Sequence, residues 1–465
     1  MIRTILAAAT LLLAVPVAAQ SQQDRLDARY DRALAAGYKA LMLCSAIAHA
    51  EANGARRTPE SVDAWELAGI QPPLDGIVGS LGHEIVRHDN GTIERVNVIW
   101  DEASEPRSAL HLDEDRGCAL NPIGGPPSFY GRPANPPANR RMKMPDIRKA
   151  PATLQGIVGS AMATSYGDGS RTTAVVIQQS GAIIGEAYID GFAPATPQRT
   201  WSVAKSIAAT LVGAAVHRGE IDIGESAGLG YSEGDPRRAI TIDHLLRMTS
   251  GRYSDTPGNR TDPLYWGGAS VREVALDWPM IDTPGTTYRY ANNDTLAAIA
   301  AIARTFDAQP PAAFFAEVGM SHTVAEIDWR GSYILSSQVW TTARDLARFG
   351  QLYLDDGRTS DGARVLPEGW TAYVATPSGP QPEGPFGYGA GFWLINTSDG
   401  VPSDTIAAFG NRGQYVVIVP SRNVVIVRRG EDPVGSGFDI VAFTRDVLAA
   451  LPAGQVDETH AAGGL

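Results

Sequence analysis

The sequence predicts an α+β fold built on a largely antiparallel sheet, and three observations predict it. A β-rich hairpin pattern, "TTAVVIQQSGAIIGEAYIDG", opens the long C-terminal region, and a second, "QYVVIVPSRNVVIVRRG", closes it. Helical stretches and Gly/Pro-rich loops fill the space between them, without a clear strand–helix alternation. Strands at both ends of one region with helices between them suit an antiparallel sheet flanked by helices.

The elements follow in chain order. Residues 1–19 read as a secretory leader: Arg3 precedes an apolar run from Ile5 to Val15, and Val17-Ala18-Ala19 offers small residues for cleavage. The run is short for a bilayer span, and an uncleaved N-terminal anchor is the alternative. No later stretch reads as apolar long enough to cross a bilayer. The mature chain is therefore expected to be secreted, periplasmic in a host with two membranes, and without a membrane span. Residues 20–123 read as an N-terminal extension. It has an Ala-rich helical pattern from Asp24 to Ala52, then a hairpin in which "RVNVIW" and "SALHLDE" flank the turn-rich "DEASEP". Residues 124–151, rich in Pro, Gly and Arg, read as a linker or wrapping loop. Residues 152–451 form the main domain. Its first hairpin turns around Gln178-Gln179-Ser180-Gly181 and its last at Pro420 to Asn423, before a helix from Phe438 to Leu451. Residues 452–465 read as a flexible tail.

A formal charge of −12 argues against nucleic acid or an anionic membrane surface as the main partner. The two cysteines, Cys44 and Cys118, lie in a chain expected to be exported, where a disulfide persists. A single structural bridge is expected, with two buried free thiols as the alternative.

One residue stands out. Only four of the thirty-nine basic residues are lysines, and Lys205 lies in the first turn of "WSVAKSIAATLVGAAVHRG", a pattern for a helix buried on most sides. Ser202 precedes it by three residues, one turn away on the same face. A serine at a helix N-terminus lies beside unpaired N–H groups that stabilise developing negative charge. A poorly solvated lysine has a lowered pKa and accepts the serine proton, a task closed to arginine. The structural alternative is that Ser202 caps the helix and Lys205 snorkels to solvent. A second signal, "PGTTYRYANND", places Tyr290 and Asn292 before an apolar helix. A tyrosine hydroxyl beside an ammonium is expected to be partly deprotonated, and the amide to hold the lysine and donate to a substrate carbonyl. Here the alternative is a turn tyrosine with an asparagine cap.

With these residues in view the chain resembles a known family. "WSVAKS", "DHLLRMTSG", "PGTTYRYANND", "VWTTARDLARFGQLYL" and "AFGNRGQYVVIVPSRNVVIV", in that order, are similar to serine hydrolases of the β-lactamase and penicillin-recognising superfamily. The likeness is to the branch of class C β-lactamases, carboxylesterases of that fold and 6-aminohexanoate-dimer hydrolases, and covers roughly Ala152 to Leu451. The region of Cys44 and Cys118 also resembles an N-terminal extension found in esterase-like members. The resemblance implies a β-lactamase/transpeptidase-like fold: an antiparallel sheet flanked by helices, plus a helical subdomain. It implies Ser202 as nucleophile, Lys205 as proton acceptor, Tyr290 as general acid/base and Asn292 as the group orienting lysine and substrate. The third motif, usually K-T-G, falls on Ala408-Phe409-Gly410, with Gly413 as a competing glycine. The Asn411 N–H would then join that of Ser202 as the oxyanion hole. No lysine follows Lys205, so the cation that binds substrate carboxylates in that family is missing; Arg412 is near in sequence. The resemblance thus implies a hydrolase for small esters or amides rather than an efficient β-lactamase, with no cofactor. A non-catalytic binding or sensing protein of the same fold is the alternative.

Other motifs compete. "GESAG", Gly224 to Gly228, fits a G-x-S-x-G elbow with Ser226 as nucleophile and His244 or His322 as partner, but it lacks the strand before and helix after that this motif needs. Asp243, His244 and the "RMTSG" loop are expected to position the helical subdomain. "HEIVRH" spaces His83 and His88 five apart where a zinc-binding helix needs four, so no metal is expected. Tyr253, Trp266 and Tyr388 are candidate pocket aromatics.

Overall fold

Three groups of strands organise the described residues, 21–129, 146–254, 261–377 and 379–452, of this computed structural model. The leader (1–19), most of the linker (130–145) and all but the first residue of the tail lie outside them.

Helix α1 (Gln22–Ala52) is capped by a reciprocal pair, the Ser21 hydroxyl accepting from the Asp24 N–H and the Asp24 carboxylate from the Ser21 N–H. Every residue from Ala35 to Ala50 is buried. Its alanines and Gly37 allow close approach, since a Cβ at Gly37 would lie 2.2 Å from the Trp266 carbonyl oxygen. By length and composition α1 could cross a bilayer, which corrects the expectation that no such stretch follows the leader. Because 94% of its most apolar window is buried inside the protein, it is a core helix. Two short helices, α2 (Pro59–Ala64) and α3 (Asp75–Val78), lead to four antiparallel strands in sequential order. These are β1 (His83–Arg87), β2 (Ile93–Val98), β3 (Arg107–Asp113) and β4 (Gly117–Leu120), with β2–β3 the hairpin read from the sequence. The Cys44–Cys118 disulfide joins α1 to β4.

The main domain begins with α4 (Ala152–Met162), β5 (Thr172–Gln179), β6 (Ala182–Tyr188), β7 (Gln198–Arg199) and α5 (Val203–His217). Its middle carries α6 (Ile242–Leu246), α7 (Pro263–Trp266), α8 (Asn292–Ala301), α9 (Pro311–Glu317), β8 (Val324–Ala325), β9 (Val339–Thr341), α10 (Ala343–Leu354) and α11 (Trp370–Ala375). It closes with β10 (Gly387–Tyr388), β11 (Trp393–Leu394), β12 (Ile406–Gly410), β13 (Gln414–Val419), β14 (Val424–Gly430) and α12 (Ile440–Ala450). The first and last hairpins meet in one antiparallel sheet ordered β10-β11-β12-β13-β14-β5-β6. Alternation along β13 divides the core: Val416 and Ile418 pack in the layer with α5 and α10, Val417 and Val419 in the layer with α4 and α12. Ser180 and Gly181, both with positive φ (48° and 75°), make the two-residue turn between β5 and β6. The end of the linker is less loop-like than expected: Ile147 forms a parallel bridge with Ile183 at the sheet edge.

The extension is not a loose appendage. Its core of α1 and β2–β4 residues runs on into Trp201, Tyr265, Leu296 and Trp340 of the main domain. Glu326, fully buried, accepts from Ser45 Oγ (2.7 Å), His49 Nε2 (2.9 Å) and the Cys118 N–H (2.9 Å) on one side. On the other it accepts from Gln338 Nε2 (2.7 Å) and Trp340 Nε1 (3.1 Å). A carboxylate with this many donors repays its desolvation, whereas removing it would strand several buried N–H groups.

Candidate active site

Ser202 stands at the N-terminus of α5 with helical φ/ψ, and its side chain makes no capping bond. The residue before it, Trp201, has a φ of +50°, an outlier for a bulky side chain that persists only where packing holds it. Here the Arg199 guanidinium lies 3.6 Å from the Trp201 ring centroid, and Tyr265 meets the indole edge-on at 6.2 Å. The tight turn aims Ser202 outward, half-buried, while the helix behind it is fully packed.

Lys205 does not snorkel. It is 2% exposed, and its ammonium donates to Ser202 Oγ (2.8 Å), the Ser336 carbonyl (3.1 Å) and Asn292 Oδ1. All three partners are neutral, so burial dominates and brings the lysine pKa down to about 7. When Nζ loses a proton, two N–H groups still serve the carbonyl and the amide, and the lone pair faces Ser202. The amide is the first residue of α8, capped by the extended Ala291 rather than by Asn292 itself. Its Nδ2 donates to Thr261 Oγ1 (3.3 Å), which fixes the oxygen toward the lysine.

Tyr290 corrects an expectation. Its hydroxyl is hydrogen-bonded to the Ser202 side chain and to the Trp393 indole, yet its pKa is raised to about 12. Desolvation is the main cause, and those two bonds offset it only in part. The Lys205 ammonium lies 4.9 Å from the Tyr290 ring centroid, and the hydroxyl nevertheless stays above its ordinary pKa, so phenolate is not generated. Tyr388 and Trp393 pack around the ring at 5.9 and 5.3 Å.

On the other side of Ser202 runs β12. A Cβ at Gly410 would lie 2.3 Å from the Thr200 carbonyl oxygen and 3.2 Å from the Ser202 nitrogen, so Gly410, not Gly413, abuts the Ser202 amide. Gly413 answers a different need, with a Cβ barred by Arg428 and Asp432. Asn411 follows at an exposed position, and among the described residues neither its N–H nor that of Ser202 is spent on another acceptor. Arg412 is turned away from the site and buried.

The structure therefore brings Ser202, Lys205, Tyr290, Asn292 and Gly410 together, with Asn411 next in the chain. Sequence reasoning missed Ser336, which contributes only a backbone carbonyl, and Trp393, which lies on a short strand with no motif. Of the candidate aromatics only Tyr388 reaches the site, as support for Tyr290. Trp266 belongs to the core shared with the extension, and Tyr253 is exposed against Trp278. Ser226 sits exposed in a loop bridge to Thr241, without a strand-to-helix elbow. His244 serves the Thr241 capping box and His322 pairs with Asp345. Asp243 accepts from Arg247 and Tyr373, a structural role as expected. His83 lies on a strand, which removes the helical geometry a zinc-binding "HEIVRH" would need.

The chain is similar to known proteins. The family model described as Beta-lactamase matches residues 160–449. The chain is 25% identical to a 6-aminohexanoate-dimer hydrolase of Paenarthrobacter ureafaciens over 301 residues, 56% of this chain and 73% of the relative. It is 27% identical to penicillin-binding protein 4 of Amycolatopsis lactamdurans over 309 residues, 56% of this chain and 78% of that one. Among solved structures, a Bacillus anthracis protein described as a candidate 6-aminohexanoate-dimer hydrolase superposes with a TM-score of 0.51 at 22% identity. That match covers 61% of this chain and 79% of the other and speaks for the fold.

Proposed function

The chain belongs to the β-lactamase family, whose members are serine hydrolases, and from that premise we propose that it is an exported enzyme cleaving a small ester or linear amide through an acyl-serine. The observation that carries the reading is Lys205: a buried lysine, half neutral near pH 7, with its titrating nitrogen 2.8 Å from a serine hydroxyl that caps nothing. Neutral Lys205 takes the Ser202 proton as Oγ bonds to the substrate carbonyl carbon. The Ser202 and Asn411 N–H groups hold the oxyanion. Tyr290, protonated across the physiological range, gives its proton to the leaving nitrogen or oxygen as that bond breaks, and recovers one from the Lys205 ammonium. Water then attacks the acyl-serine, yields a proton to the same pair, and Ser202 takes it back as the acid leaves. Asn292 keeps the lysine in register and offers its amide to the substrate.

The substrate class follows from what flanks β12. Phe409 stands one residue before Gly410, and Arg412, the nearest cation in sequence, is buried away from the site. Among the described residues the third motif itself offers no cation to a substrate carboxylate, which favours neutral acyl groups. The similarity to 6-aminohexanoate-dimer hydrolases supports linear amides beside short esters. The test is labelling of the mature protein with a fluorophosphonate probe, followed by peptide mapping. Label on Ser202, absent in Ser202→Ala and slowed at least tenfold in Lys205→Ala, is the expected result. Label on Ser226, or turnover of p-nitrophenyl esters that survives Ser202→Ala, sinks the reading.

A further inference from the structure

We propose that Arg412 is a positioning residue for this hydrolase, pinning the oxyanion-binding amide of Asn411 by anchoring the β12–β13 turn in the N-terminal extension. The inference rests on the reading of Ser202 as nucleophile and Asn411 as oxyanion donor.

The turn is short: Gly410 pairs with Gln414, leaving Asn411, Arg412 and Gly413 to reverse the chain. Arg412 has a φ of +58°, a left-handed conformation that side chains other than glycine and asparagine seldom adopt. Its side chain explains why the conformation holds. The guanidinium enters the extension just past α2, where Nη1 donates to the Glu66 carbonyl (3.0 Å) and Nη2 to those of Trp65 (3.0 Å) and Ala68 (2.6 Å). Nη2 also meets the Glu431 carbonyl (3.2 Å), and Nε pairs with the Glu431 carboxylate at 2.9 Å. The receiving loop is itself braced, since Arg57 holds the Glu66 carboxylate with two bonds of 2.9 and 2.6 Å. The Arg412 backbone is tied as well: its N–H donates to Asn411 Oδ1 (3.0 Å) and its carbonyl accepts from the Asp432 N–H (3.2 Å).

Asn411 therefore stands between a glycine pressed on the Ser202 amide and an arginine anchored in another part of the molecule. An oxyanion donor acts only when preset within a few tenths of an ångström of where the charge develops. The opposite donor, Ser202, is set by β7 and Trp201, and Arg429 links the two sides. It donates to Gln414 Oε1 (2.6 Å) and to the carbonyls of Gln198 (2.8 Å) and Arg199 (3.0 Å). The cation beside the third motif is thus used as a structural anchor for catalysis, not as a substrate ligand.

The test uses the full mature protein, comparing wild type with Arg412→Gly, in which glycine tolerates the left-handed turn but removes the anchor. Turnover of p-nitrophenyl acetate is referred to the amount of Ser202 titrated by fluorophosphonate, and measured across pH. The expected result is a kcat lowered about 10- to 100-fold with KM changed less than about threefold, as for loss of part of one oxyanion donor. The midpoint of the pH profile should stay with Lys205, near 7. Arg412→Lys, which reaches one or two of the carbonyls, should restore part of the loss. A purely structural role would lower the melting temperature and leave kcat per titrated serine within twofold of wild type, and that overturns the proposal. If Arg412→Gly does not fold, Arg412→Lys and Glu431→Gln decide: unchanged kcat in both overturns it, and a fall of about three- to tenfold supports it. Wild type that takes no label on Ser202 removes the underlying reading, and the proposal with it.

Discussion

The pH dependence of acylation follows most directly from the site. Lys205 is buried among a hydroxyl, an amide oxygen and a peptide carbonyl, and its pKa is brought from 10.5 to about 7. At roughly 1.4 kcal/mol per unit this is about 5 kcal/mol of preference for the neutral amine. At pH 7 about half of the molecules carry the free base, against roughly one in three thousand for a lysine in water. The limiting rate of ester cleavage should therefore fall about tenfold per pH unit below 7 and level off above it. Tyr290, raised to about 12, adds no inflection in the usable range. The assay is kcat/KM for p-nitrophenyl acetate between pH 5 and 10 at fixed ionic strength, with the rate of fluorophosphonate labelling as a second readout. Tyr290→Phe should lower the plateau by about 10²-fold, as general acids do, and leave the midpoint in place. A rate that still climbs tenfold per unit between pH 8 and 10 would place the base on tyrosine and refute the assignment of Lys205.

Stability should carry the same signature. The folded pKa of Lys205 lies below its unfolded value, so between about 7 and 10.5 the unfolded chain binds more protons and stability rises with pH. The unfolding free energy of wild type minus that of Lys205→Met, from urea titrations, should climb by up to about 1.4 kcal/mol per unit in that window; a flat difference contradicts the burial argument. Gly410→Ala, whose Cβ would lie 2.3 Å from the Thr200 oxygen, should cost about 10²- to 10³-fold in kcat with far-ultraviolet circular dichroism unchanged; retained activity would move the oxyanion strand elsewhere. Replacing both Cys44 and Cys118 by alanine opens a loop with a sequence separation of 74 and should remove about 4 kcal/mol of stability, read from the urea midpoint; a loss under about 1 kcal/mol would mean that the unfolded extension is already compact. Glu326→Gln sets an NH₂ group against buried donors and should cost about 3 kcal/mol, read by thermal unfolding; an unchanged midpoint would show that the junction between extension and main domain is rebuilt without it.

What the sequence determined by itself was local in origin. Ser202 and Lys205 share a helix face because three residues make about one turn, and that spacing needs no partner to be legible. The two main hairpins are written in β-branched runs around Ser180-Gly181 and Pro420 to Asn423, whose turn chemistry suits only a few conformations. With only two cysteines, one intramolecular pairing was available, and the structure makes it. The tertiary structure decided everything that depends on solvation or on remote chain. Tyr290 stays protonated because desolvation outweighs its hydrogen bonds to Ser202 and Trp393, and the rings packed on it, Tyr388 and Trp393, come from about a hundred residues away, so no local pattern records that environment. Gly410 was separable from Gly413 only by its approach to the Ser202 amide. Ser336 acts through a carbonyl, which every residue has, so its identity carries no signal. Arg412 could have pointed at substrate or at the extension, and the choice was made by three carbonyls of a loop some 345 residues earlier. Spacing along the chain specifies which groups share a turn, whereas desolvation and close approach are set by whatever the rest of the chain packs around them.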